Sequence, residues 1–198
     1  CRSRSADMNE AEVLAEFRAC DALLEGHFLL SSGRHSASYL QCARVLMNAE
    51  RAGRLAIATA QAISRDIRAE IDMVVSPAMG GLVIGHEMGR ALGKDAVFLE
   101  RPDGIFEFRR GFTLDQGAKV LMVEDVVTTG KSSREAIEAV HKAGGQVIAE
   151  ASLVDRSGGT VDLGVPFFPL VQINVPTYAA DELPAELAEC DLLLGGIV

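Results

Sequence analysis

The chain has 198 residues and a formal net charge of −9 at pH 7. With 48% hydrophobic and 24% charged residues, it has the composition of a globular protein that can bury its own core. The acidic balance argues against nonspecific nucleic-acid binding, and no apolar run approaches the roughly 20 residues of a membrane span.

Residues 1–7 lack the apolar segment of a secretory signal and precede Met8. We interpret them as an upstream extension or a cloning remnant, and we expect a single domain over 8–198. The cysteines show neither CxxC pairing nor zinc-ligand spacing with histidine; they are Cys1, Cys20, Cys42 and Cys190. Free thiols of this kind suit a reducing compartment, so we expect a cytoplasmic protein.

Hydrophobic periodicity and turn residues predict alternating helices and strands. A first helix carries the apolar stripe Val13, Leu14, Phe17 and Cys20. The elements that follow are a helix over 50–69, a strand over 71–76, a helix over 80–93, strands over 95–100 and 119–126, a helix around 136–144 and a strand over 146–154. Because short apolar strands alternate with helices, the pattern predicts an α/β fold with a central parallel sheet flanked by helices.

The segment "ERPDGIFEFRRGFTLDQG", residues 100–117, interrupts this alternation. Pro102-Asp103-Gly104 is a turn signal, and the partly alternating residues after it indicate a protruding hairpin or a long loop. Long insertions in α/β enzymes are often active-site lids. A surface hairpin without a role has the same composition, so composition alone leaves both interpretations open.

The stretch "VLMVEDVVTTGKS", residues 120–132, carries the chemistry. A buried strand ends in two adjacent carboxylates, Glu124 and Asp125, and ligands of open parallel sheets bind beyond the carboxyl ends of the strands. Residues 128–132 then open a helix, whose free N–H groups and dipole favour a phosphate. A ribose 5-phosphate needs both features, because its hydroxyl groups donate to carboxylates while the loop holds its phosphate.

Two other interpretations of this stretch compete with a sugar-phosphate site. The letters "TGKS" end a P-loop, but that motif requires glycine at the position of Asp125. The threonines and serines could also simply cap the helix. Capping alone does not explain two neighbouring acids placed where desolvation is costly.

The stretch resembles the phosphoribosyl-diphosphate (PRPP) binding motif of type I phosphoribosyltransferases. Three further segments resemble orotate phosphoribosyltransferase, and with the motif they extend over most of the chain. "GHFLLSSGRHSASYLQ" (26–41) is similar to that family's N-terminal hood, and "VVSPAMGG" (74–81) to its diphosphate-contacting loop. "ASLVDRSGG" (151–159) is similar to the strand end whose arginine meets the orotate carboxylate.

The resemblance implies roles for individual residues. Arg156 binds orotate with Thr128 nearby, and Tyr39 or Leu40 packs on the ring. The diphosphate loop comprises Ala78, Met79 and Gly80. The residues implied in catalysis are Glu124, Asp125, Arg101, Arg109 and Arg110. The residues implied in PRPP binding are Glu124, Asp125, Val126, Val127, Thr128, Thr129, Gly130, Lys131 and Ser132.

This chain departs from the family pattern at two positions where many members carry lysine, Ser31 and Gly80. Neither residue can supply the positive charge used elsewhere. The lid is rich in arginine, whereas the lid of other members bears lysine and histidine. Both implied substrates are anions, so the lid arginines and Lys131 have to make the site locally positive within an acidic protein.

By the resemblance, the chain transfers the phosphoribosyl group of PRPP to orotate, giving orotidine 5′-monophosphate and diphosphate in pyrimidine (UMP) biosynthesis. The implied cofactor is Mg²⁺, carried on PRPP near Glu124 and Asp125 without direct protein ligands. The implied assembly is a homodimer whose lid serves the neighbouring subunit, with no nucleic-acid or membrane partner.

Two alternative functions remain. A phosphoribosyltransferase for another base would lose the hood and "LVDRSGG", which this chain has. A non-catalytic PRPP-sensing regulator would need an added nucleic-acid-binding element, for which this short, acidic chain is poorly suited.

Overall fold

The computed structural model describes residues 8–30 and 33–194; residues 1–7 and Ser31, both discussed above, lie outside this part. The helices are α1 (Glu10–Ala19), α2 (Cys42–Leu46), α3 (Ala49–Ala62), α4 (Arg65–Glu70), α5 (Gly81–Leu92), α6 (Lys131–Lys142) and α7 (Ala185–Ala188). The strands are β1 (Leu23–Leu29), β2 (His35–Leu40), β3 (Met73–Pro77), β4 (Asp95–Glu100), β5 (Glu107–Phe108), β6 (Lys119–Val127), β7 (Gln146–Asp155), β8 (Phe167–Gln172), β9 (Thr177–Tyr178) and β10 (Leu192–Leu194). Among the described residues, no helix combines the length and apolarity needed to cross a membrane.

The central sheet has the strand order β5-β4-β3-β6-β7-β8. Strands β3, β4, β6, β7 and β8 run parallel, whereas β5 is antiparallel to β4. The predicted parallel sheet flanked by helices is therefore confirmed. Because parallel strands share one carboxyl edge, the segments that follow β3, β6 and β7 meet at the same side of the sheet.

Burial on both faces explains why β6 is apolar along most of its length. Leu121 and Val123 belong to the core formed with α1, α3 and α5, while Val120 and Met122 belong to the core formed with α6. Side chains alternate between the faces of a strand. The two acids near the end of β6 consequently lie on opposite faces of the sheet.

A second sheet, with the order β10-β1-β2-β9, forms the hood implied for residues 26–41. β1 pairs antiparallel with β2 and parallel with β10. His27 and His35 are buried in this sheet, with Nε2 of the first 2.7 Å from Nδ1 of the second. Arg34 donates to the hydroxyl and the carbonyl oxygen of Thr177 on β9. Segments from both ends of the sequence are thus needed to build the hood.

Two element predictions are wrong. The helix expected over 50–69 is divided into α3 and α4 by the extended backbone of Ile63 and Ser64. The break lets Ile63 reach the core, where it is 1% exposed. The strands after β7 are missing from the prediction; one of them, β8, contains Pro169. Proline is tolerated there because β8 lies at the edge of the sheet.

The segment that follows β4 contains the predicted hairpin. β5 pairs back on β4, so that Phe108 lies opposite Leu99. Phe106 is buried in the core beside α6. The hairpin is therefore anchored to the edge of the central sheet by both backbone pairing and an aromatic side chain.

Candidate active site

The acid pair lies near the end of β6 and the carboxyl edge of the sheet, with Asp125 two residues before the strand ends at Val127. Glu124 is buried, and Asp125 is half-buried. One carboxylate oxygen of Asp125 accepts a hydrogen bond from the Val126 N–H at 2.9 Å. Hydroxyl donors that enter from solvent can therefore reach the pair, while most of its surroundings are protein.

Desolvation dominates the electrostatics of this pair. Burial, reinforced by the charges of Asp125 and Glu150, raises the pKa of Glu124 to about 9; Arg101 and the Ser132 hydroxyl act in the opposite direction. Burial also raises the pKa of Asp125, against the effect of backbone N–H donors. Hydrogen bonds donated to a carboxylate favour its charged form, so incoming hydroxyl groups would relieve this cost.

A tight loop, residues 128–130, joins the acid pair to α6. Gly130 has a φ of 71° and is the N-cap of α6, with no side-chain cap. A Cβ atom at this glycine would lie 2.6 Å from Val161 and 2.7 Å from Leu163, so both conformation and space require glycine. The Lys131 N–H makes a long hydrogen bond of 3.4 Å to the Thr129 hydroxyl, and Gly130 itself offers no cap. This weak capping leaves N–H groups of the first turn for an anion.

The other residues implied in PRPP binding follow the chain from strand to helix. They are Val126 and Val127 at the end of β6, Thr128 and Thr129 in the loop, and Lys131 and Ser132 in the first turn of α6. The structure therefore brings the whole motif together at one edge of the sheet.

The diphosphate loop lies next to the acid pair. Ala78 follows β3, its N–H donates to the Leu99 carbonyl at 2.8 Å, and its peptide bond to Met79 is cis. A Cβ atom at Gly80 would lie 2.8 Å from one carboxylate oxygen of Asp125. A lysine at the position of Gly80, as many family members carry, would therefore require the Asp125 carboxylate to shift.

Arg156 follows β7 and stands on the other side of the motif. Its N–H donates to the Val127 carbonyl at 2.8 Å, while its side-chain Nε is buried without a hydrogen-bond partner. Burial lowers the pKa of Arg156, opposed by the nearby Cys42 and Tyr39. Of the two predicted ring contacts, Tyr39 is thus close to Arg156, whereas Leu40 packs against the main core. Within the described residues Arg156 makes no ion pair, so an anionic ligand would satisfy it.

Asp155 fixes the segment that carries Arg156. Its buried carboxylate accepts from the N–H groups of Ser157 at 2.7 Å and Gly159 at 2.9 Å, and from the Gln172 amide at 3.2 Å. The sequence analysis did not assign Asp155 a role. Its signal is an acid followed by serine and two glycines, a pattern typical of side-chain-to-backbone turns.

Arg101 is the lid arginine that approaches the acid pair. It is ion-paired with Glu135 on α6 and stacks over Phe106 at 4.0 Å from the ring centroid. Its charge lowers the pKa of Glu124. Lys131 also faces Glu135, with 3.9 Å between the charged atoms.

Arg109 and Arg110 have other partners. Arg110 donates to Glu100 at 2.7 Å and lies over the Phe98 ring. Arg109 lies 3.8 Å from Glu100 and 3.6 Å from Glu107. These two lid residues are therefore held by acids at the end of β4 and on β5, and the structure does not bring them to the acid pair of their own chain.

Glu150 is a buried acid that the sequence analysis missed. It lies on β7 with 0% exposure, and neither carboxylate oxygen makes a hydrogen bond. Burial raises the pKa of Glu150 to about 7, opposed by the adjacent Ser133 hydroxyl, which does not reach hydrogen-bonding geometry. The signal was an acid within the apolar run "QVIAEASLV".

The model of the phosphoribosyl transferase domain family matches residues 46–164. The orotate phosphoribosyltransferase of Sphingopyxis alaskensis is 71% identical over 190 residues, which cover 96% of this chain and 97% of that protein. That of Erythrobacter litoralis is 74% identical over 181 residues, covering 91% and 94%. The crystal structure of the Aeropyrum pernix orotate phosphoribosyltransferase has a TM-score of 0.66 at 27% identity, covering 81% of this chain and 93% of that one.

Replacing Glu150 by methionine, which conserves volume, should stabilise the fold in a pH-dependent way. Below pH 4.5 both the folded and the unfolded state bind the proton. As the pH rises from 4.5 to 7, only the unfolded state ionises, so the wild type loses free energy of unfolding. The full loss is about 3 kcal/mol, from a pKa of about 7 against 4.5.

Chemical denaturation at pH 5 and pH 8 measures this effect. The increase in the free energy of unfolding caused by Glu150→Met should be larger at pH 8 than at pH 5 by about 2 kcal/mol. Glu138→Gln is the matched control, because Glu138 is an exposed acid whose pKa is lowered by Lys142, and it should bring no gain. An equal gain at both pH values would contradict the assigned cause.

Proposed function

The chain belongs to the orotate phosphoribosyltransferase family of the phosphoribosyl transferases, and we propose that it transfers the 5-phosphoribosyl group of PRPP to orotate. The products are orotidine 5′-monophosphate and diphosphate, in the biosynthesis of pyrimidines. One observation carries the assignment of the site: the acid pair, the phosphate loop and Arg156 meet at a single edge of the central sheet. These groups suit the ribose hydroxyls, the 5-phosphate and the orotate carboxylate, respectively.

Ribose is the part of PRPP that the acid pair suits. The pKa values of Glu124 and Asp125 are raised by burial, and both oxygens of Asp125 lie close to Gly80. Hydroxyl groups at the 2′ and 3′ positions would donate to these carboxylates and favour their charged form. The loop 128–130 and the first turn of α6 would hold the 5-phosphate through backbone N–H groups.

Orotate is the base that Arg156 suits. Its guanidinium is half-buried, and its Nε has no hydrogen-bond partner. The planar fork of arginine binds a carboxylate through two hydrogen bonds, a geometry that an uncharged base cannot satisfy. Tyr39 is near enough to affect the pKa of this arginine, and it would pack on the ring.

Catalysis then rests on positioning and electrostatics. The bond between the anomeric carbon and diphosphate breaks as the orotate nitrogen attacks, through an oxocarbenium-like transition state. Holding ribose and orotate on neighbouring strand ends converts the encounter into a step within one site. The arginines of the lid, Arg101, Arg109 and Arg110, would close over the diphosphate and exclude water from the activated sugar.

Mg²⁺ is the cofactor that fits this arrangement. Among residues 8–30 and 33–194, no group of three or more His, Cys, Asp or Glu side chains forms a metal cage. A pair of acids beside a phosphate loop does suit an ion that keeps its waters and arrives on PRPP. Such an ion would neutralise charge on the departing diphosphate. Glu124 and Asp125 would act on it through ribose hydroxyls or water.

We further propose a homodimer in which each lid serves the partner's site. The ion-pair partners of Arg109 and Arg110 are Glu100 and Glu107, not the acid pair of their own chain. Exposed ion pairs of this kind are weak and exchange readily for a diphosphate. In a two-fold dimer, an exchange of lids would complete both sites at once.

The first test of the function is a panel of bases. Purified protein with PRPP and Mg²⁺ should release diphosphate rapidly with orotate and only at background rates with uracil, adenine or hypoxanthine. Excess chelator should abolish the reaction. An equal or faster rate with a purine would contradict orotate as substrate, and full activity in chelator would contradict the metal requirement.

Arg156→Ala should separate the two substrates. Losing a hydrogen-bonded contact to a charged group costs about 1.5–3 kcal/mol, so the KM for orotate should rise by about tenfold to a hundredfold. The Kd of PRPP, measured by calorimetry without orotate, should stay near the wild-type value. Arg54→Ala is the control, since Arg54 pairs with Glu16 and Glu50 on the surface and should change neither constant. A parallel loss of PRPP affinity would show that Arg156 has another role.

Subunit mixing tests the lid. One inactive variant carries Arg109→Ala and Arg110→Ala; the other carries Asp125→Asn. After joint unfolding and refolding in equal amounts, about half of the dimers are mixed and about a quarter of all sites combine intact acids with an intact lid. Roughly a quarter of wild-type activity should therefore return. Mixed dimers that are confirmed by mass and remain inactive would refute the exchange of lids.

A further inference from the structure

The segment 157–164 forms an outer wall for the phosphate loop. It begins after Arg156 and is held in shape by the Ser157 hydroxyl, which accepts from the N–H groups of Thr160 and Val161 at 3.1 Å each. Val161 and Leu163 then crowd Gly130. The wall therefore connects the end of β7 to the loop at the end of β6.

Arg134 bridges this wall and the loop. Its Nη2 donates to the Thr129 carbonyl at 2.9 Å, and its Nη1 donates to the Asp162 carbonyl at 2.9 Å. Its own N–H donates to the Gly130 carbonyl at 2.9 Å, as part of α6. One terminal nitrogen of the guanidinium thus donates to the phosphate loop and the other donates to the wall.

The choice of partners distinguishes Arg134 from the exposed arginines that form ion pairs with acids. Arg44, Arg54, Arg90 and Arg110 each pair with a carboxylate. Within the described residues, Arg134 has no carboxylate partner and uses its fork on two backbone carbonyls. Arg34 makes similar contacts with Thr177, where it joins two segments of the hood. Arg134 joins two segments in the same way, and one of them is the phosphate loop.

The contact with Thr129 has a consequence for the next amide. A trans peptide bond is planar, so the carbonyl of one residue and the N–H of the next point in opposite directions. Holding the Thr129 carbonyl toward the wall directs the Gly130 N–H away from the wall. If this peptide were turned over, the Thr129 carbonyl oxygen would face the anion and repel it. The Gly130 N–H would then no longer be available as a donor to the anion.

We propose that Arg134 is a positioning residue for the phosphate loop, one that holds the Thr129–Gly130 peptide in its anion-binding orientation and ties it to the segment that carries Arg156. This inference rests on the proposed function, because it concerns the loop assigned to the 5-phosphate. Arg134 does not touch substrate; it acts through the loop. Arginine is required because one planar group has to donate to two carbonyl oxygens. Lysine can donate a charged hydrogen bond to one of them, and glutamine has no charge to offer either.

The test compares Arg134→Gln and Arg134→Lys with the wild type. Loss of two charge-assisted hydrogen bonds should raise the Kd of PRPP by about tenfold in Arg134→Gln, measured by calorimetry with Mg²⁺ and without orotate. The Kd of PRPP for Arg134→Lys should lie between the values for Arg134→Gln and the wild type. Inorganic phosphate, as a second probe, should show the same order. At saturating PRPP, kcat and the KM for orotate should change by no more than about twofold, because Arg156 is held separately by the Val127 carbonyl and by the turn around the Asp155 carboxylate.

Arg90→Gln is the matched control, since Arg90 is exposed on α5 and pairs with Glu87 away from the loop. It should leave the Kd of PRPP unchanged. An unchanged Kd in Arg134→Gln would overturn the proposal, as would a fall in kcat at unchanged affinity. A large fall in melting temperature, with the lysine variant no better than glutamine, would make Arg134 a structural residue and overturn it equally.

These outcomes are distinct from those of the function itself. If the wild type binds PRPP but does not use orotate, the base assignment fails and the Kd series still tests Arg134. If the wild type binds orotate but neither PRPP nor phosphate, both the phosphate loop and the role of Arg134 are refuted.

Discussion

The structure depends on the burial of two neighbouring acids at the end of an apolar strand. Glu124 is 6% exposed, and burial raises its pKa to about 9, so its charged form is costly to the fold. The fold therefore bears an electrostatic cost at this position. Desolvation of the two carboxylates lowers the stability of the fold. It also makes hydrogen bonds donated by sugar hydroxyls more favourable, so this edge of the sheet suits ligand binding at the expense of stability.

A chain with a net charge of −9 has to bind anions by local means. The proposed site has three such means, which differ in physical kind. The phosphate loop offers neutral backbone N–H groups and a helix dipole, so it needs no net charge. Arg156 offers a desolvated cation without an acid partner among the described residues. The lid offers arginines held by surface acids in weak ion pairs, which a diphosphate can replace.

The sequence predicts the part of this arrangement that depends on local pattern. Apolar strands alternating with helices are sufficient to identify the parallel sheet, and residues 120–132 lie together because they are contiguous at a strand end. Groups that depend on tertiary approach are not predictable in this way. Gly80 shows this limit: only the structure reveals that the Asp125 carboxylate occupies the space of its side chain. Arg134 has no pattern of its own, because its partners are carbonyl groups that any residue could supply.

The errors have equally local causes. Ile63 and Ser64 interrupt a helical pattern because the core, and not helix propensity, decides where Ile63 lies. β8 contains Pro169, a break signal in the sequence that is harmless at a sheet edge. Glu150 is visible as an acid in an apolar run, but its lack of any partner emerges only once β7 is packed against α6.

The hood has a consequence for the order in which the molecule is assembled. β1 lies near the start of the sequence, and its parallel neighbour β10 begins at Leu192. During synthesis on the ribosome, the strands of the central sheet emerge before β10 exists to pair with β1. Closing so long a loop is entropically slow, and contacts of high sequence separation form late. A nascent chain would thus acquire its phosphate-binding edge first and the hood over the base last.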